Sequence, residues 1–405
     1  MRIRRVRRWL AAVTLLVGCA TPPHPARYLY VWAGTGHPPA HPGTDFIAVV
    51  DADPASKSYG QVLSATSMAE GGLMPHHSEF AFPTGRSFFA NDFNSGKSFL
   101  IDAREPESPR LLTTIDSIPG YRQPHSFARL ADTLVYATLQ FGDSSVAGNP
   151  GGLAEFSADG RLLRTASSRD SDFPGARIRT YGITLLPAID RALTTSSPMD
   201  TERTAHVVQI WRLSDLTLLK TLAVPGIAGD SVEHYPFEVR TLSDGRTVFL
   251  NTYYCGFYRI AGLDQSEPTI ELVFSMREPR RIGCSVPILA GKFWVMPIAY
   301  SHLLVTLDVS DPAHPKEVSR LPTDSTFFPH WLSADPSTDR LVLTEQGDGP
   351  PRVLMARLDR TTGRLSWDPD FKDAGASRPG ISFDRTRWPN GLAGMAMPHA
   401  ALFVP

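Results

Sequence analysis

The sequence predicts an all-β protein, a seven-bladed β-propeller, on three observations. Groups of four short strand-like runs recur about every fifty residues, and helical periodicity is scarce after the N-terminal segment. The two chain ends carry complementary fractions of one further group. The composition allows such a fold: 405 residues, 42% hydrophobic and 10% aromatic, enough to bury a large core.

The first complete group is "HSEFAF", "SFFANDF", "SFLIDA" and "RLLTTID", within residues 77–116. "HSFARL", "TLVYATLQ", "GLAEFS" and "LLRTASS" follow, then "GITLLP", "RALTTSS", "VVQIWRL" and "LLKTLAV". The next two are "FEVRTL", "TVFLNTY", "GFYRIAG", "TIELVFS" and "SVPILA", "KFWVMPI", "LLVTLDV", "KEVSRLP". A sixth reads "HWLSAD", "RLVLTEQ", "RVLMARLD", "RLSWDPD". The seventh is split. "HAALFVP" at the C-terminus is a first strand without successors, and "RYLYVWAG", "DFIAVVDA" and "GQVLSATS" are second to fourth strands without a predecessor. Joining them closes the ring and leaves only short, protected sheet edges. Turn residues agree: "SADGR", "LSDGR" and "DPSTDR" sit between strands and carry the Asp, Gly and Ser that hairpins need. His314, in "DVSDPAHPKE", reads as a turn residue.

Residues 1–19 read as an export signal rather than as part of the fold. "MRIRRVRRW" supplies positive charge, and "LAAVTLLVG" is an apolar run too short to span a bilayer. "LVGC" resembles a bacterial lipobox, in which the cysteine, here Cys19, is lipidated after cleavage. The alternative is a plain export signal with an incidental cysteine. Residues 20–27 then form a tether and 28–405 the propeller, outside the cytoplasm and membrane-associated only through the lipid anchor. Cys255 and Cys284 can form a disulfide in an oxidising compartment, remain buried thiols, or offer soft metal ligands; structural roles are favoured. Forty basic residues face 41 acidic ones, and no Lys/Arg cluster follows the signal, which argues against nucleic acid as a partner. No phosphate-binding glycine loop, dinucleotide fingerprint or nucleophile elbow is present. Oligomeric state is not legible.

The twelve histidines are placed unevenly. His77, His125, His330 and His399 each open an innermost strand, and His234 holds the equivalent place in "EHYPFEV". The other two groups read "TYGI" and "GCSV" there. First strands of a propeller line its axis, so one position repeated in each forms a ring around one end of the channel. A lone histidine at a strand start ordinarily satisfies backbone groups, but five in register bring imidazoles within reach of one point. Neutral imidazoles suit Cu, Fe, Zn or Ni at about 2 Å. Successive strand residues face opposite ways, so a regular strand sends only one of His76 and His77 into the channel; both require irregular backbone, which Pro75 favours. Glu79 and Glu238, on the same first strands, can orient imidazoles, move protons, or simply pair with a cation. His24, His37, His41, His206 and His302 fall outside the pattern.

Several stretches resemble one known family. "DFIAVVDADPASKSYGQVLSATSM", "HHSEF", "PHSFARL", "VVQIWRLSDLTLLKTL", "FEVRTLSDG" and "LDVSDPAHPKEVSRL" are similar, in blade order, to the selenium-binding protein / methanethiol oxidase family. The resemblance runs from about Tyr28 to His399. It implies a seven-bladed propeller and, in bacterial members, a periplasmic copper-dependent oxidase that converts methanethiol, dioxygen and water into formaldehyde, hydrogen sulfide and hydrogen peroxide. It assigns His76 and His77 to the family's double histidine, His125 and His399 to further ligands, and Glu238 to a family carboxylate. Gly60 stands where the family carries the cysteine proposed to bind selenium. His234 and His330 go beyond the matched set.

Taken together, the expected metal ligands are His76, His77, His125, His234, His330 and His399, the expected metal is copper, and the substrates are a small thiol and O2. A non-haem-iron oxygenase on the same histidines, or a non-catalytic propeller that binds metal or a partner, are the alternatives.

Overall fold

The computed structural model describes residues 24–35, 44–68, 74–145, 148–173, 178–200, 206–226, 235–276, 283–345 and 349–405. Cys19 and the export segment lie outside the described residues, as do His37, His41 and His234.

Seven antiparallel sheets are arranged as blades, six built from consecutive strands and one from both chain ends. Blade 1 runs from the axis outward as Met397–Val404, Tyr28–Gly34, Asp45–Asp51 and Val62–Ser67. The expected closure is thus present, with Tyr28 opposite Val404 and Tyr30 opposite Leu402. The inner strands of blades 2 to 7 are Pro75–Ser78, Arg122–Leu130, Thr180–Leu186, Pro236–Thr241, Ile288–Ala290 and Pro329–Ala334. In blade 7 a short strand, Ile381–Ser382, also pairs with the third strand, Arg352–Leu358.

Strand chemistry follows position in the blade. Second and third strands have neighbouring blades on both faces, so they carry unbroken apolar runs such as "FWVMPI" and "SFLID", buried almost throughout. Fourth strands face solvent on one side and alternate, as in "LLKTLA". Hairpins close on acidic turns: Asp244 accepts from the Arg246 and Thr247 N–H groups and from the Thr247 hydroxyl. Among the described residues the chain docks from its first positions. Ala26 is buried, its N–H donates to Asp335, and its carbonyl accepts from Arg340, which is itself paired with Asp335 at 2.6 Å. Cys255 and Cys284 form a disulfide that ties blade 5 to the start of blade 6, which makes their role structural.

One irregularity recurs and matters for the axis. Register shifts break the ladder of the inner strand between Pro75 and Ser78, Pro124 and Phe127, Thr180 and Ile183, Pro236 and Glu238, Pro329 and Leu332, and Pro398 and Ala401. A bulge leaves backbone groups unpaired. Here side chains from the second strands take them up. The His77 N–H donates to Asn91 Oδ1 at 2.7 Å, Ser126 N–H to Thr138 Oγ1 at 2.9 Å, and Gly182 N–H to Thr195 Oγ1 at 2.8 Å. The same side chains then donate across to the next blade. Asn91 Nδ2 reaches His125 O at 3.2 Å, Thr138 reaches Tyr181 O at 2.6 Å, and Thr195 reaches Phe237 O at 2.7 Å. Asn251 and Thr344 do likewise, to Ser285 O and His399 O. The Asn91, Thr138 and Thr195 latches each hold a bulge and join two blades, while Asn251 and Thr344 join blades by donation alone.

Candidate metal centre

The inner-strand bulges place the residues between proline and the resumed ladder at one end of the channel. His76, His77, His125, His330 and His399 meet there, all between 0% and 6% exposed. His76 Nε2 lies 2.9 Å from His125 Nε2, and the His76 ring lies 4.3 Å from that of His399, centroid to centroid. His330 and His399 are 4.7 Å apart, and His77 and His125 4.2 Å. Donor atoms of His76, His77 and His399 all lie within 4.8 Å of one another.

The regular-strand expectation that only one of His76 and His77 enters the channel does not hold. Both do, stacked at 4.4 Å with 21° between their planes. The ladder shift between Pro75 and Ser78 is the reason: with the strand bulged, alternation is lost and neighbouring side chains share one side. The positions without histidine also reach the ring. Tyr181 packs on His125, centroids 3.7 Å apart and planes tilted by 36°, and Ser285 lines the same cavity as His330.

Burial holds these imidazoles neutral. Desolvation, then the neighbouring histidines, push His76 and His77 well below the ordinary histidine value. Desolvation does the same to His125 and His330, and takes His399 down to about 4. Neutral imidazoles present lone pairs. Ser126 Oγ holds Nδ1 of both His77 and His125, at 3.1 and 3.0 Å. By contrast, His76 Nδ1, His77 Nε2, His330 Nε2 and both nitrogens of His399 are buried without a hydrogen-bond partner. Each such orphan costs about 1–3 kcal/mol. Several converging on one point fit a shared cation of the imidazole-preferring kind, at donor spacings a transition metal can bridge.

The carboxylates stand apart from this cluster. Glu79 turns away, accepting from Arg129 at 2.6 and 2.7 Å and from the Phe89 N–H, and so pins blade 2 to blade 3. Glu238, fully buried, pairs with Arg240 at 2.7 Å and makes no hydrogen bond to an imidazole. Burial raises its pKa against the opposing pull of Arg240. Arg240 lies over the Phe80 ring at 4.1 Å, Phe80 stacks on Trp331 at 4.7 Å, and Trp331 meets His77 edge-on at 5.0 Å. Glu238 is thus linked to the cluster through the packed series Arg240, Phe80 and Trp331. A cavity of about 330 Å³ reaches His76 and His330.

The other described histidines are elsewhere. His302 Nδ1–H donates to Phe327 O, 2.9 Å away, His314 pairs with Asp311 in an exposed turn, and His24 and His206 are exposed. Gly60 has φ +80°, and a Cβ there would meet the Lys372 backbone N at 2.7 Å, so this turn leaves no room for the family's cysteine.

No family model matches the chain. It is 26% identical over 318 residues to the Methanethiol oxidase of a Hyphomicrobium species, covering 72% of this chain and 69% of that protein. This match bears out the resemblance drawn from the sequence. Among solved structures it is similar to a hypothetical selenium-binding protein from Sulfolobus tokodaii, with a TM-score of 0.76, 15% identity and 93% of each chain covered. A periplasmic gluconolactonase from Pseudomonas aeruginosa aligns at TM-score 0.63 with 14% identity, over 93% of this chain and 99% of that one. These structural likenesses support the propeller fold.

Proposed function

We propose that this chain, a homologue of methanethiol oxidase, is an oxidoreductase that oxidises small thiols with dioxygen at a copper ion held by the axial histidines. The observation that carries the reading is the cluster of five neutral, buried imidazoles at the channel end, four of which (His76, His77, His330 and His399) carry unpartnered nitrogens. His76, His77 and His399 would hold the ion, with His125 and His330 adjoining them. Bound copper would supply a redox-active Lewis acid that lowers the pKa of a thiol and couples its oxidation to dioxygen.

The chain's own residues prepare that site. Ser126 orients two imidazoles at once, and Asn91 holds the bulged backbone of His77 and the carbonyl of His125. Trp331, Phe80 and Arg240 pack in series beside His77. In the overall reaction, equimolar methanethiol, dioxygen and water give equimolar formaldehyde, hydrogen sulfide and hydrogen peroxide. The carbon loses two electrons, dioxygen gains them, and the C–S bond is replaced by C=O.

Export, and lipid anchoring through Cys19, complete the reading. The Cys255–Cys284 disulfide supports an oxidising compartment independently of the N-terminal segment.

The test is reconstitution of the purified full chain with copper, followed by metal analysis, spin resonance and sulfide release from methanethiol. About one copper per chain, lost in His77→Ala and His399→Ala, is expected. Failure to retain any transition metal sinks the reading, and retention of iron in place of copper moves the chemistry to a non-haem oxygenase.

A further inference from the structure

The cavity over the histidine cluster is much larger than methanethiol needs. It measures about 330 Å³, within the range of roughly 300–1,000 Å³ that accommodates drug-sized ligands. Its wall is a continuous set of aromatic rings from blades 4 and 5. Tyr181 and Phe237 lie 4.4 Å apart, Phe237 and Tyr253 5.7 Å, Tyr235 and Tyr253 5.8 Å at 62°, and Tyr253 and Tyr254 5.5 Å at 87°. The rings brace one another, and the Tyr235 hydroxyl is anchored on Pro198 O, so the wall is preformed.

Charge is sparse among its described lining residues. Among the described residues no Lys or Arg lines the cavity, and its one carboxylate, Asp200, faces Arg179 at 3.6 Å. Against these described residues an anionic substituent would lose its water and meet no cation. An aromatic or other apolar group would find ring faces and edges. His76 and His330 line the same cavity, so a group seated on the aromatic wall would carry its sulfur toward the cluster.

We propose that the aromatic cavity formed by Tyr181, Tyr235, Phe237, Tyr253 and Tyr254 beside His76 and His330 binds the ring of a neutral arylmethanethiol or a thiol of similar apolar bulk. The fate of the sulfur rests on the thiol-oxidase reading; the fit of the ring does not. Equimolar phenylmethanethiol, dioxygen and water would give equimolar benzaldehyde, hydrogen sulfide and hydrogen peroxide. The benzylic carbon loses two electrons to dioxygen as C–S gives way to C=O.

The experiment separates the two layers. Benzyl alcohol, which has no sulfur, is titrated against the full chain with and without copper by saturation-transfer NMR. KM values are measured on the copper-loaded protein for phenylmethanethiol, methanethiol and 3-mercaptopropionate. Benzyl alcohol binding in both metal states is expected, with at least fivefold weakening in Tyr253→Ala. KM for phenylmethanethiol should lie at least tenfold below both other thiols, and Met199→Arg, which sets a cation in the wall, should narrow the gap to 3-mercaptopropionate. No saturation transfer from benzyl alcohol, or equal KM for the three thiols, overturns the proposal. Benzyl alcohol binding that Tyr253→Ala weakens, without turnover of any thiol, upholds the ring subsite and removes the oxidase reading instead.

Discussion

Asn91 is the sharpest place to test how the fold holds the histidines. Its side chain accepts the His77 N–H at 2.7 Å and donates to Pro124 O and His125 O, so one residue fixes two bulges in adjacent blades. Asn91→Ala removes all three contacts in a fully buried setting. At about 1 kcal/mol net per hydrogen bond, the metal-free fold loses about 3 kcal/mol. The histidines lose their alignment as well, and outer partners of metal ligands are worth about 10–100-fold in affinity. That factor corresponds to about 1.4–2.7 kcal/mol. Copper affinity is measured by competition with a chromophoric chelator, and stability by denaturant unfolding of the metal-free protein. The expected result is a joint loss: lower unfolding free energy and at least tenfold weaker copper. A destabilised variant whose copper affinity stays within twofold of the parent refutes the reasoning, because the bulges would then hold the imidazoles without the latch.

Three further outcomes follow from other parts of the chain. The Cys255–Cys284 disulfide closes a 29-residue separation, for which chain entropy gives about 3–4 kcal/mol, so the Cys255→Ala/Cys284→Ala double variant should unfold at correspondingly lower denaturant. Burial raises the Glu345 carboxyl to about 8, against the partial relief of the Arg352 N–H. The folded state therefore keeps a proton that the unfolded state has released, and stability falls as pH rises between about 4.5 and 8, by at most about 1.4 kcal/mol per unit. Glu345→Gln should match the parent near pH 4.5 and exceed it at pH 8 in unfolding of the metal-free protein; a constant difference across that window would remove Glu345 as the cause. Cys19→Ser should abolish incorporation of labelled palmitate and release the protein from membranes, and unchanged labelling would discard the lipid anchor.

The strands were legible because a blade writes its position into composition. Middle strands such as "SFLID" are apolar on both faces, outer strands such as "LLKTLA" alternate, and the split blade shows as "HAALFVP" without successors. The cysteines left more than one role open, since pairing depends on the approach of two blades rather than on local pattern. The cavity rings were not read as a set. Tyr181 belongs to blade 4, whereas Tyr235, Phe237 and Tyr253 lie on or beside the first two strands of blade 5. They meet only through the packing of one blade on the next.

The latch residues are the more instructive omission, since they did leave a signal. Asn91 in "SFFANDF", Thr138 in "TLVYATLQ", Thr195 in "RALTTSS", Asn251 in "TVFLNTY" and Thr344 in "RLVLTEQ" each put a hydrogen-bonding side chain in a buried second strand. A polar side chain buried on both faces needs a partner, and within a fully paired ladder it has none. Its recurrence in five blades therefore signals backbone groups left open on the adjoining inner strand. Four of those inner strands carry proline at or near their start, Pro75, Pro124, Pro236 and Pro329, whose missing N–H breaks the ladder. Read together, the two rows predict the bulge, and the bulge decides the question that alternation left open: His76 and His77 face the same cluster because the strand that carries them is broken where Asn91 mends it.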